Sequence, residues 1–321
     1  MRREGSPWQG LGTVLLKELA DHFDSLRMLG LALLTVLAAA VPFYLAVVEL
    51  KNTTSEDPFL LLKLFNPGGQ TLSVVAILGF VIPVVAISLG FDAVNGEHNR
   101  RTLSRILAQP IYRDALLAGK FLAGLIILAV NLMCLWLLVV GLGVAFLGVP
   151  PSGDEFTRAL VFYFVAVAYA GAWLGLAMLF SVLFRSPATA ALLALGVWLF
   201  MTFLWPMIAP AIAAALIPPD PRYTLLGILD PQTAVLQQGL SRISPYLLFG
   251  EATRTILTPT TPSLGPVLDQ IRMLRGEVVG AALPLRESLA LVWPEVVSLI
   301  AGAIALFVAT YVVFQRQEVR A

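Results

Sequence analysis

Apolar residues in this chain fall in long, nearly unbroken blocks rather than in alternating or one-faced stripes. The blocks run from about Leu29 to Val48, Leu72 to Phe91, Phe121 to Phe146, Ala159 to Phe184, Ala188 to Ile217 and Ser288 to Phe314. Each reaches the roughly 20 residues that a helix needs to cross a bilayer core. Ahead of the first block, Leu11, Leu15, Leu19, Phe23 and Leu26 recur at mostly helical spacing among Arg2, Arg3, Lys17 and Arg27. That pattern predicts an interfacial helix lying in the headgroup plane. The expected fold is an all-α polytopic membrane protein with six transmembrane helices. Pro42 and Pro83 sit inside the first two spans, and Pro206 and Pro210 beside Trp205 predict a bent or broken outer half of the fifth.

The pattern changes between the fifth and sixth blocks. Residues 218–287 carry Pro218, Pro219, Pro221, Pro231, Pro245, Pro259, Pro262 and Pro266 and hold only short amphipathic stretches, of which Leu236–Leu248 and Leu264–Leu274 are each expected to form a short helix. The chain therefore divides into an N-terminal interfacial segment (1–27), spans one to five (28–217), an extracytoplasmic subdomain (218–287), and span six with its tail (288–321). A subdomain of that size lies near the lower limit for folding alone, so it is expected to pack on the membrane part or on an extracytoplasmic protein.

Composition agrees with a membrane protein: 58% of the 321 residues are hydrophobic and only 13% are charged. The net charge of +1 and the scattered arginines leave no basic face for nucleic acid. The one cysteine, Cys134, lies in an apolar block, which excludes an internal disulfide. No cleavable signal peptide is read ahead of the first block. Basic residues then set the orientation. Arg2, Arg3, Lys17, Arg27, Arg100, Arg101, Arg105, Arg113, Lys120, Arg185, Arg316 and Arg320 fall on one side, against Lys51, Lys63 and Arg158 in the short loops of the other. By the positive-inside bias both termini are cytoplasmic, and a multi-pass plasma (inner) membrane protein is expected.

The polar run from Asp92 to Lys120 joins the second and third spans. Asn95 and Gly96 punctuate its start and Pro110 stops a helix near its end. Between them Glu97, Arg101 and Arg105 recur every four residues, with Leu103, Ile106 and Leu107 on the opposite side. A short amphipathic helix over 95–109 is expected, its charged side open to a soluble partner. On charge and periodicity alone, a solvated loop whose arginines only set topology and bind lipid phosphates fits as well.

Glu97, the Thr102-Leu103 pair, Pro110, Arg113 and Gly119-Lys120 together resemble the loop between spans two and three of type-two ABC-exporter permeases. Arg101 departs from that pattern, which usually has glycine before the Thr-Leu pair. The stretch Leu240–Leu257, LSRISPYLLFGEATRTIL, is similar to the branch containing the nitrous-oxide-reductase maturation permease. The resemblance implies a permease subunit that works as a homodimer with two copies of a separate ABC ATPase. No cofactor is expected on this chain, and ATP and Mg would reside on the partner. Glu97, Arg100, Arg101 and Arg105 would then make charged contacts to the ATPase, while Leu103 and Leu107 anchor the coupling helix.

The motifs that are missing point the same way. No G-x-x-x-x-G-K-[ST] phosphate loop, H-E-x-x-H or G-x-S-x-G occurs, so no enzyme activity is expected of this chain. Asp92 and Glu49 sit at span ends and both histidines, His22 and His98, outside the spans, which argues against an intramembrane proton relay. Asn131, Trp173 and Trp205 are the candidate cavity-lining residues, with helix packing or interfacial anchoring as their alternative. A scaffold that passes mechanical work to an extracytoplasmic partner through 218–287 is the competing functional class, and a secondary carrier the third.

Overall fold

In a computed structural model the described residues are 10–52, 59–66, 72–99, 112–148, 150–217, 223, 230–259 and 282–316. Six helices among them are long and apolar enough to cross a membrane: Leu26–Lys51, Val74–Asn99, Arg113–Leu147, Gly153–Leu183, Pro187–Leu216 and Leu285–Arg316. No strand occurs among the described residues. Each expected span is present, and all but the fifth are longer than their apolar blocks because polar residues continue the helix beyond the hydrocarbon. The protein is thus an all-α polytopic membrane protein.

Helix α1 (Leu11–Phe23) meets α2 (Leu26–Asn52) at a corner where the Ser25 hydroxyl donates to the His22 carbonyl and accepts from the Met28 N–H. The α2 helix carries Pro42 without breaking. A short helix, α3 (Leu60–Phe65), buries Leu61, Leu62, Leu64 and Phe65. Then follow α4 (Val74–Gly90), α5 (Asn95–Asn99), α6 (Arg113–Leu147) and α7 (Gly153–Leu183). The last of these is the hub, with 67% of its most apolar window buried, against 11% for the fifth span and 17% for the sixth. Spans five and six consequently present most of their apolar surface to lipid or to protein.

Small residues let the hub approach its neighbours. A Cβ on Gly175 would lie 3.1 Å from Leu306 Cβ of α12 (Leu285–Arg316), and one on Gly90 would lie 2.8 Å from Ala177 Cβ. The Gly171/Gly175 pair therefore serves internal packing against the sixth span. Asn131 does the helix-joining job that polar residues do at this depth: its side-chain amide donates to Thr35 Oγ1 at 3.1 Å, joining α6 to α2.

The fifth span shows how its proline is accommodated. It runs as α8 (Pro187–Leu199), a π-helical turn (Phe200–Leu204) and α9 (Trp205–Leu216). Pro206 has no N–H to give and its ring crowds the preceding turn. The helix widens, the Trp205 N–H reaches back to the Phe200 carbonyl, and the Met201 carbonyl is left for another donor. Ser244 Oγ, fully buried, donates to it at 2.8 Å.

That serine lies between α10 (Pro231–Ser241) and α11 (Pro245–Leu257). The single helix expected over Leu236–Leu248 is instead broken before Pro245, which takes a first-turn position. The pair folds back against the spans: Phe249 stacks on Tyr169 of α7 at 4.5 Å, and Trp205 Nε1 donates to the Leu240 carbonyl at 2.8 Å. The stretch expected to be helical at Leu264–Leu274 lies outside the described residues.

Candidate functional site

The bundle has two polar ends, and the one carrying α1 holds the sequence motif. Gly119 and Lys120 lie in the opening turns of α6. A Cβ at Gly119 would sit 2.7 Å from Val14 Cγ1, so glycine there is what allows α1 to lie directly on α6. The buried face of α1 is centred on Val14 and Glu18, with Leu11, Leu15 and Leu19 half-buried beside them. That face differs from the leucine stripe the spacing suggests, because Lys120 supplies a partner for Glu18.

Lys120 is buried, and its ammonium lies 3.0 Å from Glu18 Oε1 and 2.7 Å from Glu97 Oε1. An unpaired ammonium so placed costs several kcal/mol of lost hydration, which two carboxylates offset. Burial alone would push the Glu18 carboxyl up, but Lys120 and then Lys17, 3.1 Å away, hold it below the ordinary carboxylate range. Burial also lowers His22, so its neutral form is favoured, with Glu18 and Asp92 opposing and Arg27 and Lys120 reinforcing that shift.

A second pair braces the same end. Arg27 forks onto Asp92 at 2.9 and 3.0 Å, also donates to the Ser88 carbonyl, and lies 4.9 Å from the centre of the Phe91 ring. Below it, Ser181 Oγ of α7 accepts the backbone N–H groups of Val94 and Asn95 at 3.0 and 3.2 Å, and Asn95 Nδ2 donates to the Phe184 carbonyl at 3.1 Å. These bonds fix where the loop after span two leaves the bundle. Between the pairs lies a polar cavity of about 280 Å³, bordered by Glu18, His22, Arg27, Asp92, Glu97 and Lys120.

Of the expected coupling residues, Glu97 is brought against Lys120, whereas Arg100, Arg101, Leu103, Arg105 and Leu107 lie outside the described residues. Asn131, Trp173 and Trp205 are not brought together. Asn131 bonds Thr35, Trp173 is buried edge-on to Tyr169 in α7, and Trp205 bonds the α10 backbone.

Besides Glu18, the sequence reading missed Arg158 and Glu295. Arg158, counted there as a loop residue, is fully buried within α7 and donates to Asp154 at 2.7 Å, Leu283 O at 2.6 Å, Ser288 Oγ at 3.0 Å and Ile256 O at 3.2 Å. The helix begins earlier than the apolar block because Ser152 and Glu155 form a reciprocal cap, which the S-x-x-E spacing signals. Glu295 is an acid inside the sixth span, contrary to the expectation that acids stop at span ends. It pairs with Arg242, which also lies 3.2 Å from Glu251. The Pro294-Glu295 step within an apolar block was its signal.

The family model for an ABC-2 family transporter protein matches residues 13–319. The chain is similar to the probable ABC transporter permease protein NosY of Pseudomonas aeruginosa, 27% identical over 207 residues that cover 62% of this chain and 70% of that protein. It is also similar to the NosY of Stutzerimonas stutzeri, 26% identical over 203 residues covering 61% and 68%. With its six apolar helices, the chain belongs to the ABC-2 family of transporter proteins, as a membrane-spanning permease subunit of the NosY-like branch.

Proposed function

We propose that this permease is the transmembrane half of an exporter-type ABC system, assembling as a homodimer with two copies of a separate ATPase that binds ATP and Mg. Family membership implies the ATPase partner. Arg27, Arg113, Lys120, Arg185 and Arg316 gather at the α1 end, which supports a cytoplasmic orientation for that end and for both termini.

The observation that carries the reading is the Lys120 junction. One ammonium ties α1, the start of the 95–109 coupling segment and the third span into a single unit. A push delivered to that segment by a closing ATPase reaches the membrane helices through charge pairs rather than through a slack loop. In this reading Arg100, Arg101 and Arg105 contact the ATPase and Leu103 and Leu107 hold the segment to the bundle. Glu97, turned toward Lys120, transmits rather than docks.

The test is the double charge reversal R101E/R105E. Loss of ATPase association with normal membrane insertion is the expected result, and unchanged association would contradict the assignment.

A further inference from the structure

An apolar groove of about 460 Å³ lies between α2 and α6. Val36, Ala40, Tyr44 and Lys51 mark its course along α2, and Leu135 and Phe146 along α6, which runs in the same direction. It exists because Ala39 and Ala40 stand where the neighbouring turns carry Val36 and Phe43. Ala39 and Val139 are buried at its floor, while Tyr44 and Phe146 stand exposed at its rim.

Three properties identify an occupant. The stretch from Val36 to Lys51 rises about 22 Å at 1.5 Å per residue, which is half the full bilayer thickness including headgroups. The groove thus runs from the bilayer centre to the headgroup layer of the leaflet away from α1. Its walls are apolar along that length, and an ammonium stands at the headgroup end, where Lys51 Nζ lies 5.4 Å from the centre of the Phe146 ring. Its volume, finally, is on the order of one fatty-acyl chain.

We infer that this groove is a binding site for one glycerophospholipid, whose acyl chain lies between α2 and α6 and whose phosphate meets Lys51. The bound chain completes the packing of α2, whose most apolar window is only 33% buried by protein. This site is independent of the ATPase reading, since it needs neither a partner nor a transported substrate.

The test is native mass spectrometry of the full-length chain released from nanodiscs of phosphatidylcholine with a minor fraction of phosphatidylglycerol. Wild type is expected to retain a phosphatidylglycerol molecule through collisional stripping of its other lipids. A single basic residue at the membrane surface contributes about 1 kcal/mol toward an anionic lipid, so Lys51→Glu should lower the retained phosphatidylglycerol at least about fivefold. Lys51→Arg should keep it. Ala40→Trp, at an exposed position that leaves the core intact, should expel lipid of either headgroup. Equal lipid retention and headgroup preference in wild type, K51E and A40W would overturn the site. So would an A40W chain that loses its self-association while keeping its lipid, because the groove would then belong to a second copy.

Discussion

Among the described residues, each end of the bundle buries one cation, and the two ends use it differently. At the α1 end Lys120 faces two carboxylates, one on α1 and one on α5, each a group that can be protonated, screened or pulled away. At the far end Arg158 is held by two backbone carbonyls, a serine hydroxyl and its own helix's Asp154. Its planar fork pins the end of α11 and the start of α12 to α7, and carbonyls neither titrate nor leave. The neighbouring Glu155 carboxylate reaches sideways to accept the Leu61 N–H at 2.8 Å, bringing α3 into the same clamp. The far end is a fixed clamp and the α1 end an adjustable joint.

Removing the clamp should have the largest effect. Arg158→Leu orphans two buried carbonyls and unties two elements, a loss on the order of 3–5 kcal/mol. The expected outcome is a large fall in thermal unfolding temperature in detergent, with Arg158→Lys intermediate because one ammonium cannot span the four partners. Lys120→Met comes next, at about 2–3 kcal/mol, since Glu18 and Glu97 keep some access to water. Its stability loss should be partly recovered in the double variant Glu18→Gln/Lys120→Met, whereas coupling to the ATPase should not recover. If K120M proves as damaging to folding as R158L, the contrast between joint and clamp is wrong.

Acidification should separate the two ends without mutation. Glu18 is depressed in the folded state, so its contribution is present above the ordinary carboxylate pKa of about 4.3 and is lost as pH falls through its lower folded value. His22 is also depressed. Its contribution is complete above the ordinary histidine pKa of about 6.5 and declines as pH falls from there toward its folded value. The protection of the α1 amides, read as hydrogen exchange relative to the unstructured rate at each pH, should therefore fall first below about pH 6.5 and again in the carboxylate range, while the amides of α11 keep their protection through the first step. His22→Gln should abolish that first step alone. The smallest effect belongs to Ser244→Ala, which leaves the Met201 carbonyl without its donor and should cost about 1 kcal/mol in thermal stability.

These differences bear on what a sequence displays. The six spans are legible because a lipid-facing helix needs an unbroken apolar block, and the prolines in the fifth foretell a disturbed helix. The Glu97 and Lys120 positions are legible through a family pattern, and the pair they form gives that pattern a physical reason. Glu18 and Arg158 are not legible, because their meaning depends on partners far away in the chain: Lys120 for the first, Ile256, Leu283 and Ser288 for the second. Nor does local spacing tell that Ser244 closes the gap opened by Pro206. Periodicity reports which face of a helix is apolar, and a one-off polar contact between distant segments leaves no period.

The most direct test of the account is affinity purification of the full-length chain in mild detergent, with mass identification and stoichiometry of what accompanies it. The account predicts an ABC ATPase in equal copy number with the permease. A chain that stays dimeric under the same conditions with no ATPase bound would contradict it.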